Sequence, residues 1–468
     1  ATATATEGRA AMSVRSMEAG DEGQWELPAS ARSSAREGLM HAVRSLCELR
    51  GVKVAEETAL ETGRKIEEKA YTAAQVDSRT TTGRRPDAET VQIYARKAGR
   101  LVVDAVESIE KGGGTSAAKE AGAGAGGVTE FLDLCDGNRE FVTAETAREL
   151  FAPILGVQDP SAQTVKKIKL STKSFGVDAA EVAAEAFAAC RETLEDLDLS
   201  DVIAGRPEAE AMKSLKCLCD SVAGLSLKAL DLSDNALGEK GIVACSTALT
   251  TQKTLESIAF RNIGCSVAAC KAINNLLACK QTLKKLHLYN NMSDDEGAFA
   301  IASLIETTPK MEDFMMVSSR VKAEGGQRLA KALAGKPLVS LDLHDNILGA
   351  ETAGALVQTL KDQPRLKHLN LSEACLEDEG TILVCQGLFQ AAPELETVSL
   401  AANDITDNAV TALAQGLQGK ARLRAVFLEE NYDIGEEAQQ WLRAQLPNVA
   451  IRFDEEEELD IDFGKMKI

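Results

Sequence analysis

Leu227-Lys-Ala-Leu230-Asp-Leu232-Ser-Asp-Asn235-Ala-Leu237 is the stretch that decides the fold. Its leucines and its asparagine follow the pattern L-x-x-L-x-L-x-x-N-x-L. Leu338-Val-Ser-Leu341-Asp-Leu343-His-Asp-Asn346-Ile-Leu348 repeats that pattern residue for residue. Further copies begin at 165, 194, 255, 283, 311, 366, 395 and 423, so with 227 and 338 the steps are 29, 33, 28, 28, 28, 27, 28, 29 and 28. A unit of about 28 residues holds one short strand and one helix and cannot bury its apolar face alone. Stacked units share one continuous core. The expected fold is therefore an α/β leucine-rich-repeat solenoid, a horseshoe of the ribonuclease-inhibitor type, over residues 165–453. Such a fold is a binding surface first, and any activity has to be argued from its loops.

Composition narrows the partners. Lys plus Arg number 52 against 72 Asp plus Glu, a net charge of −20. Phosphate binding draws on clustered basic residues, so nucleic acid is not an expected partner. A basic protein suits this chain better. Eleven cysteines, an odd number, include no C-x-x-C pair. Several, such as Cys245, Cys270, Cys279 and Cys385, sit in apolar stretches and read as reduced core residues of a cytoplasmic protein. Neither cysteines nor the four scattered histidines suggest a metal site, and no cofactor is expected. No apolar run reaches the roughly 18 residues of a membrane span, so no membrane insertion is expected. The opening Ala1-Thr-Ala-Thr-Ala-Thr has neither a basic nor an apolar region of a secretory signal.

Before the repeats the character changes. Residues 1–23 are small and polar and are expected to be disordered. Residues 24–110 carry apolar residues at helical spacing from Ser34 to Leu46, from Ala55 to Ala74 and from Thr90 to Val106, the pattern of a small helical domain. Residues 111–127, with Gly112-Gly-Gly-Thr-Ser and Gly122-Ala-Gly-Ala-Gly-Gly, read as a flexible linker. They lack the Gly-Lys-Ser/Thr ending of a phosphate loop. Residues 128–164 combine an alternating Phe131-Leu-Asp-Leu134 with a helical Ala144–Leu155 and are expected to cap the solenoid. Val449-Ala-Ile451-Arg-Phe453 alternates like one last strand, and residues 454–468 open as an acidic tail.

Within the repeats, helices are expected at Glu239–Leu249 and Glu351–Leu360. Acidic residues at their starts, as in Asp294-Asp-Glu-Gly297, suit a helix N-terminus. Asn235, Asn291, Asn346, Asn403 and Asn431 fill the ninth position, where an asparagine bonds neighbouring turns. Val202, Ser319 and Ala374 do not, so their turns need other partners.

Three stretches carry a resemblance. Asp198-Leu-Ser-Asp201-Val-Ile-Ala-Gly-Arg206-Pro-Glu208 lies in the one unit of 33 residues; Leu230–Gly241 and Leu286-His-Leu-Tyr-Asn290-Asn291-Met-Ser-Asp-Asp-Glu-Gly297 lie in regular ones. Together they resemble the Ran GTPase-activating protein family in its plant and algal form. The resemblance implies an activator of the GTP-bound Ran-type small GTPase, serving nucleocytoplasmic transport, and not an enzyme with its own active site. It implies partner-binding roles for Arg206, Glu208 and Asp201, and places Asn290 and Asn291 at the turn that meets the GTPase beside its nucleotide, where the activator orients the GTPase's own glutamine. Residues 24–110 resemble the plant WPP domain, through Val91-Gln-Ile-Tyr94-Ala-Arg-Lys97 and Glu67-Glu-Lys-Ala-Tyr71. That implies tethering to the cytoplasmic face of the nuclear envelope through coiled-coil partners, with Trp25 and Pro28 of the degenerate Trp25-Glu-Leu-Pro28 motif as targeting residues.

Each site residue has a plainer alternative. Arg206 also reads as an ordinary surface arginine followed by a capping Pro207. Asn291 holds the ladder position, so a structural role is its default, whereas Asn290 is expected to face outward. Trp25 reads as a packing residue. For the whole chain, the alternative function is a non-catalytic scaffold that binds a protein partner.

Overall fold

The computed structural model describes residues 130–135, 139–235 and 238–454, with 56–77, 79–80, 83–84 and residues 32, 35, 36, 39, 40, 43 and 44 of the amino-terminal part. The disorder expected over 1–23, the helix from Thr90 to Val106, the linker at 111–127, the acidic tail past Asp454 and the pair Trp25 and Pro28 lie outside them. The chain divides into two compact units, Ala1–Ala125 with Phe463–Ile468, and Gly126–Asp462.

In the first unit the helix Glu56–Asp77 follows the expected apolar spacing. Ala59, Ile66 and Ala70 are buried on one of its faces, as is Val43. Gly63 permits close packing there, since a Cβ at that position would lie 2.8 Å from the backbone nitrogen of Met40. Glu67 is fully buried and would be costly alone. Arg32 Nε donates to its Oε1 at 2.6 Å and Arg36 Nε to its Oε2 at 2.8 Å. Burial opposes ionisation of Glu67, but the two guanidinium groups outweigh it and hold the carboxyl below its usual range. Arg32 also stacks 3.8 Å from the Tyr71 ring centroid.

The second unit is built on a parallel sheet of twelve strands that follow one another in chain order, from Phe131–Asp133 to Ala450–Arg452. From Lys167–Lys169 to Ala425–Phe427 each strand begins two residues after the start of its sequence copy. The register is constant, so Ile168, Leu197, Leu230, Ile258, Leu286, Phe314, Leu341, Leu369, Val398, Val426 and Ile451 form one column across the sheet. All of them are buried. Each such side chain contributes about 1.5–3 kcal/mol relative to exposure. Helices such as Asp294–Glu306 and Gly349–Lys361 close the other side of each turn. The expected helix Glu239–Leu249 is two, Gly238–Ala244 and Ser246–Thr251, parted at Cys245.

Residues 128–164 differ from expectation in being more than a cap. Phe131–Asp133 pairs with Lys167–Lys169 and so extends the main sheet by one strand. Glu140–Val142 then pairs with Lys173–Phe175 in a separate two-stranded parallel sheet. The segment is a degenerate repeat whose leucine spacing is lost but whose strand still completes the ladder of its neighbour.

The asparagine ladder has an alternation that answers where the other turns find partners. Val202, Ser319 and Ala374, and also Ile263, occupy the ninth position of every second turn from 202 to 374. The backbone N–H of each donates to the side-chain oxygen of the asparagine one turn on: Val202 to Asn235 at 3.1 Å, Ile263 to Asn291 at 3.3 Å, Ser319 to Asn346 at 3.2 Å and Ala374 to Asn403 at 3.0 Å. The asparagine's own N–H turns instead to the next backbone, as Asn291 does with the Ser318 carbonyl at 3.2 Å and Asn346 with that of Glu373 at 3.2 Å. One asparagine therefore serves two turns, which is why half the positions tolerate apolar or small residues.

Candidate functional site

Asp201, Arg206, Asn290 and Asn291 sit in loops that follow the strands, on one edge of the parallel sheet, and Glu208 opens the helix after its loop. A second periodic row lines that edge. From the second copy on, the residue just before each ninth position has a left-handed backbone: Asp201, Asp234, Asn262, Asn290, Ser318, Asp345, Glu373, Ala402 and Glu430 have φ between 47° and 60°. This conformation costs an L-residue about 1–2 kcal/mol, least for Asn and Asp. Backbone bonds to the next turn offset it, for instance Asp234 N–H to the Arg261 carbonyl at 2.7 Å and Asn262 N–H to that of Tyr289 at 2.6 Å. The turn aims each of these side chains along the rim.

The loop 199–207 uses its extra residues to fold inward. Val202 and Ile203 are buried. The Val202 carbonyl accepts from Phe175 N–H at 2.8 Å, and the Ala204 carbonyl from Ser174 Oγ at 2.8 Å, which ties the loop to the small sheet. Gly205 has φ +77°, and a Cβ there would meet the Phe141 ring at 3.0 Å. Arg206 lies beneath this turn with only 12% of its side chain exposed. Its Nη2 donates to the carbonyls of Ser174 at 2.7 Å and Val142 at 3.2 Å, and its Nη1 to Glu210 Oε1 at 2.6 Å. The guanidinium carbon stands 5.2 Å from the Phe141 ring centroid. Pro207 precedes the helix Glu208–Ser221, as the plainer reading of this loop anticipates. Asp201 is held by Arg139 Nη2 at 2.7 and 2.9 Å from its two oxygens. Glu208 is exposed and paired with Lys240.

The turn at Asn290 and Asn291 divides its two asparagines between the two rows. Asn291 is buried in the ladder: its Nδ2 donates to the Phe260 carbonyl at 2.9 Å and its Oδ1 accepts from Ile263 and Cys265 N–H at 3.3 and 2.9 Å. Asn290 is exposed on the rim. Its neighbours Tyr289 and Met292 are 38% and 47% exposed, large side chains for a partner to cover. Asn290 Nδ2 donates to Asn262 Oδ1 at 3.0 Å, and Asn262 Nδ2 donates to Asp234 Oδ1 at 3.0 Å. Arg261 beside them is committed to Asp231 at 2.7 Å and to Ser233 Oγ.

The structure thus brings Asp201, Arg206 and Glu208 together in one loop and sets Asn290 three strands away, about 15 Å at roughly 5 Å per strand. Asp234 and Asn262 are rim residues that motif reading missed. Reading position eight of every repeat as a column exposes them, because that column is almost entirely polar.

Comparison with known proteins bears on what such a rim serves. Residues 30–115 match the model of the WPP domain, and residues 225–244 match a Leucine Rich repeat model. The amino-terminal part is thus similar to a WPP domain, and the rest of the chain is a leucine-rich-repeat solenoid. The chain is 36% identical over 205 residues to RAN GTPase-activating protein 1 of Arabidopsis thaliana, covering 43% of this chain and 36% of that protein. With RAN GTPase-activating protein 2 of the same plant it shares 36% identity over 206 residues. A ribonuclease inhibitor from Sus scrofa is 26% identical over 275 residues, covering 58% of this chain and 53% of the inhibitor. The chain therefore resembles plant Ran GTPase-activating proteins, as the loop motifs imply, while spanning about a third of the length of those relatives. Its solenoid is of the ribonuclease-inhibitor type. Among the described residues no group of three or more His, Cys, Asp or Glu is placed to hold a metal, and no helix is long and apolar enough to cross a membrane.

Proposed function

We propose that this chain stimulates GTP hydrolysis on a Ran-type small GTPase in its GTP form, through the exposed rim around Asn290. The likeness to two plant Ran GTPase-activating proteins is the observation that carries this reading. The rim's chemistry is consistent with it. An activator that works by positioning needs a fixed polar group at the partner's active site and no cofactor of its own. The side-chain amide of Asn290 suits the task of holding the partner's glutamine, which in turn places the attacking water. Arg206 is a poor arginine finger, since reaching into a partner would break three hydrogen bonds made within the chain. Its service to docking is to hold the loop that leads to the exposed Glu208, while Asp201 is largely covered and held by Arg139.

The WPP domain supports a place at the cytoplasmic face of the nuclear envelope, reached through coiled-coil partners, and a role in nucleocytoplasmic transport. A tagged full-length chain should ring the nucleus and a chain without residues 1–127 should not, while both stimulate hydrolysis alike.

Single-turnover hydrolysis by GTP-loaded Ran, with and without an equimolar amount of this chain, is the deciding experiment. Stimulation by several powers of ten is expected. No stimulation leaves the scaffold reading, which the likeness to ribonuclease inhibitors over more than half the chain favours.

A further inference from the structure

Asp234, Asn262 and Asn290 stand in three successive turns and are joined by two hydrogen bonds in series, each 3.0 Å long. The series has a forced direction. An ionised carboxylate only accepts, so Asn262 must turn its NH2 toward Asp234. That leaves the Asn262 oxygen facing Asn290, which must in turn present its own NH2 to it. The oxygen of Asn290 is then left pointing away, and it accepts no hydrogen bond among the described residues. The series stops there: among the described residues no side-chain hydrogen bond joins Asn290 to the next rim residue, Ser318. The other neighbouring charges do not compete for these atoms: Arg261 is bound to Asp231 and Ser233, and Asp201 to Arg139.

We infer that the Asp234 carboxylate acts through Asn262 to fix the amide of Asn290 with its oxygen outward, so that the rim offers a partner a hydrogen-bond acceptor in one set orientation. Asp234 and Asn262 are positioning residues, and of the three only Asn290 touches the partner. The inference rests on the proposed GTPase-activating role for its consequence, though not for its geometry. Under that role the partner's glutamine would donate its side-chain N–H to Asn290 and keep its own carbonyl for the water. Without the carboxylate the amides would sample both senses, and the wrong one would set donor against donor.

The test uses the full chain and four proteins: wild type, Asp234→Asn, Asn290→Gly and the double variant. Asparagine and glycine both accept the left-handed backbone at these sites, so the fold is spared. Asp234→Asn should slow Ran hydrolysis at saturating activator by about threefold to tenfold, the worth of one hydrogen bond, with affinity for GTP-analogue-loaded Ran changed by less than about twofold. Asn290→Gly should slow it about a hundredfold. The double variant should match Asn290→Gly alone, because Asp234 acts only through Asn290. An unchanged rate in Asp234→Asn, or the same further loss in the Asn290→Gly background, overturns the inference. Selective 15N-asparagine labelling reads the orientation without any partner. The side-chain NH2 signals of Asn290 should shift or double in Asp234→Asn, and unmoved signals overturn the relay even if the wild-type chain fails to stimulate Ran. Failure of the wild type in hydrolysis, with shifted signals, sinks the functional reading and leaves the relay standing.

Discussion

The loop at Arg206 and the turn at Asn290 lie on the same edge of the same sheet and use polar groups in opposite ways. At Arg206 a full charge is turned inward and spent on two backbone carbonyls and Glu210. At Asn290 a neutral amide is turned outward and held from one side only. The first arrangement ties an irregular loop to the small sheet of Glu140–Val142 and Lys173–Phe175. The second keeps one atom available. A charged side chain in a sequence motif is therefore no guide to what a partner meets, and the smaller group beside a ladder residue can be the more accessible one.

Arg206→Ala should sharpen this contrast most. It removes the charge-assisted bonds to the Val142 and Ser174 carbonyls and to Glu210, a loss of about 3 kcal/mol. A clear drop in melting temperature is expected, with weaker Ran binding as the loop loosens. Abolished hydrolysis at saturation, with melting and binding intact, would break the comparison and restore an arginine finger. Asn291→Ala comes next among the stability effects. It frees the Ile263 and Cys265 amides and the Phe260 carbonyl, costing about 2–3 kcal/mol, read as a lower circular-dichroism melting point. Asn290→Gly should do the reverse of both, with the hydrolysis rate at saturation falling about a hundredfold and the melting point barely moving. A melting shift as large as that of Asn291→Ala would show that the two rows are not separate. The smallest effect is expected from Glu208→Ala. Its pairing with Lys240 is exposed, so stability should not change measurably, and any loss should appear in the association rate with Ran.

The ten copies could be read directly because one face of each turn is buried against the next. Only apolar residues fill the column through Leu230, Leu286, Phe314 and Leu341, and their spacing is visible without coordinates. The strand at Phe131–Asp133 was legible as a strand but not as a member of the sheet, since its copy lacks the leucines that set the register. At the site, Asn291 could be given to the ladder and Asn290 to the surface from their positions alone. The inward turn of Arg206 had no local signal: its partners, Val142 and Ser174, lie 64 and 32 residues away.

By itself the sequence determined the solenoid, its repeat length, the buried column and the separate character of the amino-terminal region. Each of these follows from periodic apolar residues and local composition, which nearby chain fully specifies. Only the tertiary structure decided which polar groups meet. The alternation of the asparagine ladder and the series from Asp234 through Asn262 to Asn290 depend on residues 28 apart being stacked at hydrogen-bonding distance, and a hydrogen bond has a direction that spacing alone cannot supply.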